Sequence, residues 1–238
     1  MNAFLYGVAL QWKLDIRSRT LLVTCYIVPL LFFAVMGGIF TSLMPESKAT
    51  LVQSMTVMGV SMGALVGLPP SLVEIYGSDI KKAYKANGVP IYLGLVSMFI
   101  SAFIHLMIMS TIIYLAASVA FQAVLPEHLP SYLGLLAVFT AVSLIVGCVL
   151  GLLVNNQAKL TMLSQLLFLP SIMLSGIMFP ASLLPRPLQI AGKIFPASWG
   201  YRMMTGEGSV WENLLYMLFI FLGAALMCVL LLKRRQAE

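Results

Sequence analysis

The sequence predicts an all-α polytopic membrane protein: an N-terminal interfacial helix, six transmembrane helices, and short broken helices on the outer side between spans five and six. Three observations carry this reading. Apolar residues make up 61% of the chain and charged residues only 9%, with a mean hydropathy of +0.99, whereas soluble domains carry roughly 25% charged residues. Six charge-free stretches, 21–40, 49–73, 86–126, 128–158, 160–185 and 213–232, are each long enough to cross a bilayer, which takes about 20 apolar residues. The 14 Lys and Arg residues gather on alternate connections between these stretches.

Ahead of the first stretch, Phe4, Val8, Trp12 and Ile16 recur every fourth residue, while Lys13, Asp15, Arg17 and Ser18 tend to the other side. An apolar stripe with a Trp, backed by basic residues, predicts an amphipathic helix lying in the membrane interface. Lys13, Arg17 and Arg19 followed by an apolar run could also read as a signal peptide, but the run 21–40 is too long and no small-residue cleavage site follows it. It is therefore the first span. The second span carries Gly59, Gly63 and Gly67, and the fourth carries Gly147 and Gly151. Glycine at every fourth position lets helix backbones approach closely in lipid, and packing within one subunit is the favoured use. The third stretch is trimmed by Asn87, Gly88 and Pro90 at its start and by the residues around Pro126 at its end, so it forms one long helix over Ile91 to Ala120.

Orientation follows from the basic residues, which short loops retain on the cytoplasmic side. With the N-terminus inside, the cytoplasmic segments hold Lys13, Arg17, Arg19, Lys81, Lys82, Lys85, Lys159, Lys233, Arg234 and Arg235, and the outer segments hold only Lys48, Arg186, Lys193 and Arg202. Both termini are thus expected in the cytoplasm. The net charge of +6 marks topology and not nucleic-acid binding. Six spans with short connections fill 1–238 as a single transmembrane domain, leaving no room for a nucleotide-binding domain. Cys25, Cys148 and Cys228 lie far apart in apolar runs, unlike a disulfide framework or a metal cluster.

Two connections differ from plain loops. Residues 74–88 form the most charged internal segment, with Glu74, Tyr76, Asp79, Lys81, Lys82, Tyr84 and Lys85. Ser78 or Asp79 can cap a short helix there, with acid in its first turn and lysines later. Residues 174–204 contain Pro180, Pro185, Pro187 and Pro196, which no continuous helix tolerates. The apolar residues between them, among them Leu183, Leu188, Ile190, Ile194 and Trp199, predict short helices folded back at the outer surface and buried against protein.

Within that segment, Ser175-Gly176, Phe179-Pro180, Leu184-Pro185, Leu188-Gln189, Pro196 and Trp199 resemble the signature near the fifth membrane helix of ABC-2 type transporter permeases, most of all the small drug and antibiotic exporter subunits. The resemblance extends to the order of elements along the chain. It implies a non-catalytic permease subunit of an ATP-driven exporter in a prokaryotic plasma membrane. It also implies two copies of an ABC ATPase subunit as partners and a second permease, either the same chain or a paralogue. ATP and Mg would sit on the ATPase and no cofactor on this chain. The coupling element would be 74–88, assisted by the N-terminal helix and the loop 155–159. No G-x-x-x-x-G-K-[ST] phosphate loop occurs.

Among candidate intramembrane polar groups, His105 is the one ionisable residue, with Asn155, Asn156 and Gln165 besides. Ion pathways place ionisable groups at membrane depth, so this inventory points to an apolar or amphipathic cargo: a drug, an antibiotic peptide or a lipid-like molecule. The alternative cargo is a lipid-linked polysaccharide or cell-wall polymer precursor. An intramembrane enzyme would need clustered acids and bases, which the sequence lacks.

Overall fold

The computed structural model describes residues 3–77 and 90–237, and its elements there are helices joined by short connections. Helix α1 (Ala3–Arg17) precedes α2 (Arg19–Leu22), which runs through a π-helical turn at Val23–Ile27 into α3 (Val28–Leu43). Helix α4 (Leu51–Met62) likewise passes through a π-helical turn at Gly63–Gly67 into α5 (Leu68–Gly77). Then come α6 (Ile91–Phe121), α7 (Leu129–Leu153), α8 (Gln157–Leu174), the short α9 (Arg186–Gly192) and α10 (Pro196–Thr205), and finally α11 (Val210–Ala237).

Five helical stretches are long and apolar enough to cross a membrane: Val23–Leu43, Leu51–Gly77, Tyr92–Phe121, Leu129–Leu153 and Val210–Arg235. The third stretch is one helix, as its trimmed ends predicted. It begins after the extended Pro90 and stops where Gln122 turns left-handed at φ 53°. The fifth stretch differs from expectation. Its helix stops at Leu174, because Gly176 takes φ +91°, a conformation that glycine alone adopts cheaply. The resulting α8 has 18 residues, includes Pro170, and is diluted by Gln157, Lys159 and Gln165. It therefore packs beside the five spans without matching them in apolar length.

The second span sits at the centre of the bundle, with 89% of its most apolar window buried. Gly59 and Gly63 face α6, where an added Cβ would run into Met109 and Leu106, and Gly67 lies against Cys25 and Thr24 of the first span's π turn. The two π turns thus meet each other. In each, a backbone N–H reaches five residues back, Val28 to Val23 and Leu68 to Gly63, widening the helix where the partner must fit. From the other side, Gly147 of α7 lies directly on the Ala64 carbonyl, and Gly151 on Leu72 and the Pro69 carbonyl. By contrast, α11 is 11% buried over its apolar window and the first span 28%, so both present Leu, Phe and Val side chains outward, as lipid-facing helices do.

At the end of the bundle holding the chain termini, the Arg235 guanidinium donates to the Leu152 carbonyl at 2.9 Å and to Asn155 Oδ1. Asn156 caps α8 through the backbone N–H groups of Ala158 and Lys159, and Gln157 donates to the Pro70 carbonyl. The ends of the second span, α7, α8 and α11 are thereby fastened together. At the opposite end, the backbone N–H of Val124 donates to the Lys48 carbonyl and ties two connections to one another.

Candidate cargo cavity and coupling surfaces

At the end opposite the termini, the chain breaks between α8 and α10 for reasons that can be followed residue by residue. Ser175 Oγ donates to the Ile172 carbonyl at 2.8 Å and closes the last turn of α8, after which Gly176 reverses the chain against the Tyr201 ring. Pro180 opens a short 3-10 turn at Ala181–Leu183, and Pro185 leads into α9. The Gln189 side-chain amide donates to the Leu184 carbonyl at 2.8 Å. Pro196 then starts α10, whose Ser198 hydroxyl donates to the Gly192 carbonyl at 2.6 Å and whose Trp199 indole donates to the Lys193 carbonyl at 2.7 Å. Side chains thus satisfy backbone carbonyls that the broken helices leave open, as backbone packed away from water requires. Trp199 also stacks on Tyr216 of α11 at 4.0 Å between ring centres, with the Arg202 guanidinium 5.5 Å from its ring.

The expectation that both short helices are buried against protein holds for α10, which is buried along nearly its whole length. It fails for α9 and the turns on either side of it, where Leu183, Leu188, Ile190 and Ile194 are exposed. Only α10 has α7 and α11 to pack on, with Gly200 letting Phe139 close against its backbone.

Beneath this segment lies a cavity of about 720 Å³. The ends of α3 and α8, the start of α4 and the connection after α10 enclose it. Phe40, Leu43, Ile177 and Met178 give it apolar walls, Thr50, Ser54 and Tyr201 add hydroxyls, and Glu46 and Glu207 stand among its lining groups. That size falls within the range of roughly 300–1,000 Å³ typical of small-molecule sites. Of the outer-segment residues singled out from sequence, Ser175, Gly176, Phe179 and Pro180 line the cavity, while Leu184, Pro185, Gln189, Pro196 and Trp199 build the turn and helices around it.

At the other end, Tyr76 is buried and Glu74 exposed in the last turns of α5. Asp79, Lys81, Lys82, Tyr84 and Lys85 lie outside the described residues. In α1, Lys13 and Arg17 are exposed and Val8 and Trp12 half-buried, while Phe4 belongs to the helix.

Asp15 departs from its expected place. Instead of sharing the exposed side with Lys13 and Arg17 it is 7% exposed, accepting a hydrogen bond from Ser101 Oγ of α6 at 2.5 Å and one from Gln11 at 2.8 Å. One turn further along α6, His105 stacks on Trp12 at 4.2 Å and is hydrogen-bonded through Nδ1 to the Tyr26 hydroxyl at 2.7 Å. The face of α1 left outward bears Tyr6, Leu10 and Leu14. A polar cluster therefore joins α1, the π turn of the first span and α6. The sequence signal for it was the spacing of Ser101 and His105 on one face of a helix, with an acid in the segment before the first span.

Ser101→Ala removes one donor from a buried carboxylate, a loss of roughly 1–3 kcal/mol. The expected result is faster proteolytic cleavage near Arg17 in membranes, with the spans intact; cleavage at the parental rate would show that the cluster does not hold α1.

The family model described as ABC-2 type transporter matches residues 3–207. No curated protein and no solved structure matches the chain. The match takes in α1, the first four spans, α8 and both broken helices at the cavity. This chain belongs to the ABC-2 type transporter family and is a multi-pass membrane permease of an ABC transporter.

Proposed function

We propose that this permease exports an apolar or amphipathic cargo, such as a drug, an antibiotic peptide or a lipid-like molecule, across a prokaryotic plasma membrane. The observation that carries this reading is the cavity of about 720 Å³ beneath the broken helices, apolar in its walls and furnished with a few hydroxyls. Glu46 and Glu207, both exposed, form no closed cage for a lone ion; a molecule with an apolar body would find contact on several sides. With both termini in the cytoplasm, the cavity lies at the outer face, where cargo leaves.

The chain is a single non-catalytic permease domain, and ATP with Mg is hydrolysed on two copies of a separate ABC ATPase subunit. A second permease, this chain again or a paralogue, completes the transporter. Residues 74–88 form the docking element; its first residues are the end of α5, where Tyr76 is buried, and in sequence it precedes α6. ATP binding shifts the permease between conformations only through contacts that differ between the two. The fastening of the second span, α7, α8 and α11 at this end would carry a push on 74–88 into the bundle as a unit. Affinity purification of the tagged permease from its native membrane is expected to recover an ATPase subunit in equal amount. A permease that purifies alone and transports without ATP would overturn the reading.

A further inference from the structure

The cavity beneath the broken helices carries charge of one sign. Glu46, in the 3-10 turn after α3, and Glu207, after α10, both line it, and no Lys, Arg or His is among its lining residues. Among the described residues neither carboxylate forms an ion pair. The nearest cations stand outside this lining: Lys48 shares the turn of Glu46, and Arg202, its guanidinium 5.5 Å from the Trp199 ring, lines a neighbouring pocket with Lys193 and Glu207. Both glutamates are solvent-exposed, so they stand at the mouth, whereas Ser54, Ser175 and Ile177 at the back are buried. Ser47 Oγ, also in the lining, is buried without a hydrogen-bond partner. The site thus joins an apolar interior to an anionic mouth. Carboxylates backed by low-dielectric walls attract cations more strongly than they would in bulk water.

We infer that the cavity selects amphiphiles bearing a positive charge, taking the apolar body between Phe40, Leu43 and Met178 and leaving the cationic group beside Glu46 and Glu207. This rests on the reading of the cavity as a cargo site. A carboxylate-bearing amphiphile of the same shape would meet like charge at the mouth, and a neutral one would lose the charge attraction while keeping the apolar contact.

The test is equilibrium binding of three isosteric probes to the full-length permease in lipid nanodiscs, with empty nanodiscs subtracted: tetraphenylphosphonium, neutral tetraphenylsilane and tetraphenylborate. The expected order is cation, neutral, anion, with about tenfold between the first two, or about 1.4 kcal/mol. In the Glu46→Gln, Glu207→Gln double variant the cation is expected to fall to the affinity of the neutral probe, whose own binding is unchanged. Equal cation affinity in the parent and the double variant, or no preference in the parent, overturns the inference. Thr50→Trp, which fills the cavity from its wall, separates the two levels. If it abolishes neutral-probe binding while the glutamate variants do nothing, the charge preference alone fails. If neutral-probe binding survives Thr50→Trp, or no probe binds above empty nanodiscs, the cargo-site reading fails with it.

Discussion

Gly147→Ala is expected to destabilise the bundle more than any other single methyl addition in the spans. The added Cβ would point into the carbonyl oxygen of Ala64, a backbone atom in the π turn of the second span that no side-chain rotation can move. Alanine is otherwise the better helix former by about 1 kcal/mol, so any loss must come from the contact itself. Overpacking of this kind typically costs about 1–3 kcal/mol, and because the collision is with backbone the upper end is expected. Gly223→Ala in α11 is the internal control, since a Cβ there meets nothing within 4 Å. Thermal unfolding of the purified permease in detergent should show a clear drop in midpoint for Gly147→Ala and none for Gly223→Ala. Equal midpoints would mean that α7 does not seat on the π turn.

Reversing Lys81 and Lys82 to Glu is expected to abolish cargo-stimulated ATP turnover by the assembled transporter, returning it to the rate of the ATPase alone. Helix α5 ends at Gly77, at the end of the bundle where Arg235, Asn155 and Gln157 fasten four helices together, so a push on the residues that follow it would be passed to the spans. Asp79→Pro should have the same effect by preventing the short helix that its sequence favours. Charge reversal in a loop can also disturb topology, but Lys13, Arg17, Arg19, Lys159 and the basic C-terminal run Lys233, Arg234 and Arg235 remain. A reporter fused to the C-terminus should therefore show unchanged insertion. Stimulated turnover at the parental rate would remove 74–88 from the coupling role.

What could be read from the chain alone divides along physical lines. The spans were legible because lipid demands long apolar runs, and the breaks around α9 because Pro180, Pro185 and Pro196 cannot sit inside a helix. The early end of α8 was less so. Nothing local says that Gly176 will take a positive φ when Tyr201, 25 residues on, packs beneath it. Asp15 was placed on the wrong face of α1 because its neighbours Lys13 and Arg17 are basic and exposed, while the group that buries it, Ser101, lies 86 residues away. The π turns left only Gly63 and Gly67 as a trace, and the cavity's two glutamates, Glu46 and Glu207, are joined by folding and not by any motif. Helix identity is written locally, whereas burial of a polar group and enclosure of a cavity depend on partners remote in sequence.

Directional, ATP-driven movement of an amphiphile by this permease with a separate ATPase is tested most directly in inverted membrane vesicles from cells producing both chains. With the cytoplasmic face outward, a fluorescent cationic amphiphile should accumulate in the vesicle lumen when ATP is added, and should fail to do so in the Lys81→Glu, Lys82→Glu variant. Equilibration without ATP, or ATP-driven loss of dye from preloaded vesicles, would contradict the account.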